Sequence, residues 1–89
     1  MRLDSIVVWF AGVPGPTEPR QPWRWHKRAP NGRILCQGES HGSYRDAMRA
    51  ARRANLGCDY ALSVQGDPQS SQITYLAQCV GGEYRVLLS

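Results

Sequence analysis

The sequence predicts a small α+β domain: an antiparallel sheet, or two short sheets, in the order β-β-β-α-β-β-β with one helix packed on one face. Three observations carry this. Trp23-Arg24-Trp25 and Ile34-Leu35-Cys36 flank an Asn-Gly pair, the signature of a hairpin. Between Tyr44 and Ala54 alanines recur at helical spacing, and Gly81-Gly82 joins two further stretches that read as strands. A chain of 89 residues makes one domain over 1–89. At that size folding buries roughly two-thirds of the unfolded surface, so modest stability is expected.

The first strand is Ile6-Val7-Val8-Trp9-Phe10, an apolar run too short for a helix and bounded by Ala11-Gly12, which reads as a central or well-covered strand. Residues 11–22 then hold four of the six prolines, which can neither continue a ladder nor start a helix. This long loop is a linker or a binding element, and it brings Arg20 close to Arg24.

In the hairpin, a type I′ turn at Asn31-Gly32 would set Pro30 opposite Arg33, Ala29 opposite Ile34, Arg28 opposite Leu35, Lys27 opposite Cys36, Trp25 opposite Gly38 and Trp23 opposite Ser40. Trp23, Trp25, Ala29, Ile34 and Cys36 then share the inner face, while Arg24, His26 and Arg28 share the other, with Arg24 opposed to Glu39 as an ion pair. Gly38 leaves room for the Trp25 indole to lie across the neighbouring backbone.

Ser43 and Asp46 have capping-box spacing, and Gly57 is a good stop. Between them Ala47, Met48, Ala50, Ala51 and Ala54, with Tyr44 beside them, form a narrow apolar arc that can sit close on a sheet. Arg45, Arg49, Arg52 and Arg53 form the opposite arc.

Trp23-Arg24-Trp25, Asn31-Gly32-Arg33-Ile34 and Tyr44 opening an Ala-rich helix together resemble the YegP-like family of small bacterial and archaeal domains of unknown function, over roughly residues 6–55. The resemblance implies a strand, a hairpin and a helix, often as tandem copies or paired chains, and it implies no reaction. The chain departs from the family in its long Pro-rich connection before Trp23. It also does not repeat the Trp-x-Trp and Asn-Gly pattern beyond Gly57.

Residues 58–89 read as a C-terminal β-meander. Asp59 to Gln65 alternates with Tyr60, Leu62 and Val64 inward, and residues 66–71 are a turn cluster. Strands at 73–80 and 83–88 around Gly81-Gly82 pair Cys79 with Tyr84, Ala77 with Val86 and Tyr75 with Leu88 on an apolar face. Leu76 faces Leu87 on the other, a candidate self-association patch. The last strand leaves an edge that another chain could pair with.

Eleven Lys and Arg against seven Asp and Glu give a net charge of +4, and every basic residue but Lys27 is Arg. The plain reading is a solvated basic surface; the functional reading is an acidic or nucleic-acid partner. No apolar run approaches the length of a membrane span and no signal peptide is evident, so residence in the cytoplasm is expected. Three cysteines fit no zinc spacing and leave one over in any disulfide scheme, so they are expected to be reduced, with Cys36 and Cys79 as small core residues. Cys58 follows the helix C-terminus, which disfavours a thiolate.

No paired carboxylates, phosphate loop or triad spacing stands out, and His41, just before the helix, is the one small-site candidate. The expectation is therefore a non-enzymatic protein-interaction module without cofactor or metal. It would bind itself or a larger complex through Arg45, Arg49, Arg52, Arg53, Arg24, Arg28 and Arg20 and the Pro-rich loop. A phage or mobile-element inhibitor of a host complex is a variant within that class. The alternative is a nucleic-acid-binding accessory protein using the arginine-rich helix face. The placement of Trp23 and Trp25 separates the two, because single-strand binding on a sheet needs exposed rings.

Overall fold

In the computed structural model, which describes residues 3–11, 21–65 and 73–87, β1 (Asp4–Phe10), β2 (Trp23–Arg28), β3 (Ile34–Gln37), α1 (Tyr44–Ala54), β4 (Tyr60–Gln65), β5 (Thr74–Val80) and β6 (Glu83–Val86) follow one another. The α+β order expected from the sequence is the order found. All six strands form one sheet, β3-β2-β1-β4-β5-β6, antiparallel at every neighbour pair except β1 and β4, which run parallel at its centre. Two three-strand meanders thus meet along β1 and β4. Because β3 and β4 point the same way, the connection between them must cross the sheet, and α1 is that crossover. It lies over β2 and β1, the two strands it spans.

The core sits between α1 and the middle of the sheet, from β2 across to β5. Ile6, Val8, Trp25, Ala47, Ala51, Tyr60, Leu62 and Ala77 are buried together, with Trp23, Met48, Val64, Cys79 and Tyr84 packed around them. Fully burying a side chain such as Ile6 or Leu62 stabilises by ~1.5 to 3 kcal/mol. Only Ala47 and Ala51 of the helix are fully buried, so the apolar arc is narrower than expected, with Ala54 and Tyr44 exposed.

The β2–β3 hairpin differs from the expected turn for a chemical reason. A two-residue turn would need Pro30 to donate an N–H to Arg33, and proline has none. Ala29 donates instead, to the Arg33 carbonyl at 2.8 Å, and Gly32 N–H returns to the Ala29 carbonyl at 2.9 Å. The loop is therefore Pro30-Asn31-Gly32, with Gly32 at φ +89 and Asn31 Oδ1 accepting from Arg33 N–H. A bulge at Leu35 absorbs the extra residue: Arg28 faces Ile34, while Lys27 faces Cys36 as expected. At the far end Trp23 exchanges backbone hydrogen bonds with His41 rather than pairing with Ser40. That slip sets two residues, Glu39 and Ser40, against Arg24, and the ion pairs among the described residues join Lys27 to Asp4, Arg49 to Asp46 and Arg85 to Glu83 rather than Arg24 to Glu39.

Every residue of β3 is exposed, Cys36 included, because α1 stops short of this edge. The expected core role of Cys36 is thereby corrected; Cys79, half-buried against the core, keeps its own. The β5–β6 hairpin has the expected register, with Gly81 and Gly82 both at positive φ. Tyr75 is a second correction. A bulge sets it opposite Ser63, away from the apolar face, and leaves it 56% exposed. Its expected partner Leu88 lies outside the described residues, whereas Leu87 does meet Leu76, donating to its carbonyl at 2.8 Å.

A candidate basic groove at the end of the helix

Ser43 caps α1 as its spacing requires, its hydroxyl accepting from Asp46 N–H at 3.2 Å. The other end is closed by a residue the sequence reading passed over. Asn55 is buried, donates its side-chain amide to the Ala51 carbonyl at 2.7 Å, and accepts from Cys58 N–H before Gly57, at φ +81, lets the chain leave. This ending holds the last turn of α1 beside the second meander.

There, Tyr60, Cys79 and Tyr84 stand in one row across β4, β5 and β6. They floor a groove of about 380 Å³ whose wall is the helix end, with Arg49, Arg52 and Arg53 around it and Leu56 and Gly57 closing one side. The Arg52 guanidinium carbon lies 3.8 Å from the centre of the Tyr84 ring. Burial pushes the Tyr60 phenol above its ordinary value, with Cys79 adding to the effect and a hydrogen bond from Arg52 opposing it. No Asp or Glu is among the described residues that line it. Asp59 stays outside, accepting from Gly81 N–H at 3.0 Å and so tying the start of β4 to the rim turn.

The arginines expected to act together divide between two faces. Arg49, Arg52 and Arg53 converge on the groove, and Arg45 is exposed on the first turn of the same helix. Arg24 and Arg28 lie on the opposite side of the sheet, because they alternate with Trp25, which points into the core. Arg20 and residues 12–20 of the Pro-rich loop lie outside the described residues; the loop's ends meet where Ala11 N–H donates to the Pro22 carbonyl at 2.7 Å. Arg52 is exposed, with its guanidinium carbon over the Tyr84 ring.

Trp25 is buried and Trp23 is half-buried between Phe10 and Tyr44, at ring centroid distances of 5.3 and 5.8 Å. Neither is a stacking platform. His26 and Cys36 fall on opposite faces, as the expected register implies. His41 pairs through its backbone with Trp23, and its Nε2 is buried without a hydrogen-bond partner among the described residues. The three cysteines are free thiols. Among the described residues no three His, Cys, Asp or Glu side chains gather closely enough to hold a metal, and no helix is long and apolar enough to cross a membrane.

Compared with known protein families, curated proteins and solved structures, the chain matches none.

Proposed function

We propose that the protein is a non-enzymatic interaction module that receives an acidic segment of a partner protein in the groove at the end of α1. The observation that carries this reading is the convergence of Arg49, Arg52 and Arg53 on an aromatic-floored groove with no carboxylate among the described residues that line it. Arg52 is already oriented by Tyr84, so less side-chain freedom is lost when its guanidinium meets a carboxylate. The net charge of +4 favours an acidic partner over a second copy of the chain. The likeness to YegP-like domains is part of the same proposal, supported by the hairpin and Ala-rich helix following each other directly.

The test is a titration of isotopically labelled protein with a Glu-rich peptide and with its Gln counterpart. Chemical-shift changes at Arg52, Tyr60 and Tyr84 with the Glu peptide alone are expected. Changes scattered over the surface, or equal for both peptides, would refute the reading.

A further inference from the structure

The side of the sheet facing away from α1 carries no second layer among the described residues. Its centre is nevertheless closed: Val7 is 6% exposed and Ser63 1%. The face therefore lacks the open apolar middle on which a protein partner usually docks. What it offers is rings and cations. Trp9 on β1 stands next to Arg24 on β2, one step along from His26, and the Trp9 and His26 ring centroids are 6.4 Å apart. Tyr75 lies across the sheet in the row of His26, Val7 and Ser63. Arg24 and Arg28 flank His26 on β2; both are exposed and neither is in an ion pair among the described residues.

We propose that this sheet face binds single-stranded nucleic acid, with bases stacked on Trp9 and Tyr75 and phosphates held by Arg24 and Arg28. Charge selects a polyanion, and the rings select one whose base faces are free. A duplex hides those faces, and a six-stranded sheet is too broad for a groove that admits a helix or a two-stranded ribbon. Burial and the neighbouring Arg28 hold His26 below its ordinary value, so it stands on this face as a neutral ring near pH 7. The surface is separate from the helix-end groove and does not depend on what that groove binds.

The experiment is fluorescence anisotropy with labelled twelve-nucleotide oligothymidylate and oligouridylate, and with a duplex of the same length, at 50 and 200 mM salt. Wild-type protein is expected to bind the single strands more tightly than the duplex. Tyr75→Ala should weaken that binding by about fivefold to a hundredfold, the range that losing one stacked base gives. Arg24→Glu with Arg28→Glu should abolish it and Arg49→Glu with Arg53→Glu should leave it unchanged, each variant first shown to be folded by circular dichroism. Tyr75 and both β2 arginines are exposed, so the test does not rest on replacing the half-buried Trp9. Absence of single-strand binding at 50 mM salt, equal affinity for duplex, or an unchanged Tyr75→Ala variant would each overturn the proposal. Capture of an acidic protein through Arg24 and Arg28 without single-strand binding would overturn it as well.

Discussion

The Trp25 indole occupies the space where a side chain at residue 38 would begin: a Cβ built on Gly38 would overlap Nε1 and Cε2 of the ring. The two residues face each other across the hairpin, Gly38 N–H donating to the Trp25 carbonyl at 3.1 Å. The buried indole, packed with Ala47 and Ala51, has no room to retreat. Gly38→Ala should therefore destabilise by at least ~1 to 3 kcal/mol through overpacking, and Trp25→Ala by ~3 to 5 kcal/mol. In the double variant the Gly38→Ala cost should largely vanish. A double-mutant cycle by urea denaturation measures this, and additive losses would mean that the indole and residue 38 do not share this space.

Ser43 holds the first turn of α1 by one hydrogen bond to Asp46 N–H. Ser43→Ala should cost ~0.5 to 2 kcal/mol, and Ser43→Asp should retain most of the stability. Thermal unfolding of the two variants side by side is the check.

Both the cap and the Gly38 cavity were legible from the chain because each depends on residues close in sequence or paired across one short turn. The Cys79–Tyr84 register was legible for the same reason, set by Gly81-Gly82. What the sequence reading missed is non-local or depends on a missing donor. Pro30 forced a three-residue loop because it has no N–H, and the bulge at Leu35 then restored the pairing further along. The parallel union of β1 with β4 comes from the path of α1 and has no signature in either strand. The site follows from that union. Arg52 meets Tyr84 only because sheet order places β4 to β6 beside the end of the helix, so a helical wheel could group the arginines but not divide them between the two faces.

His26 is held below its ordinary value of 6.5, chiefly by burial and then by Arg28. Its native pKa is depressed, so its contribution to stability is complete above about pH 6.5, declines as pH falls toward the native value, and changes no further below it. Urea midpoints at pH 7.5 and 5 should show wild type losing more stability on acidification than His26→Gln. Equal losses would remove His26 from the account of pH dependence.

The Arg52 guanidinium sits over the Tyr84 ring, a contact that a lysine ammonium reproduces poorly. Arg52→Lys should keep the fold, losing at most ~0.5 to 1 kcal/mol, yet weaken binding of the Glu-rich peptide severalfold. Isothermal titration against wild type distinguishes this from a pure charge effect, under which Arg52→Lys would bind as well as wild type.

The proposed function rests on the helix-end arginines receiving an acidic protein. Its most direct test is affinity capture from native lysate, with nuclease present, by wild-type protein and by the folded Arg49→Glu, Arg53→Glu variant in parallel. Wild-type protein is expected to recover one defined protein complex that survives nuclease, and the variant to recover none. Equal recovery by both proteins, or recovery that vanishes with nuclease, would contradict it.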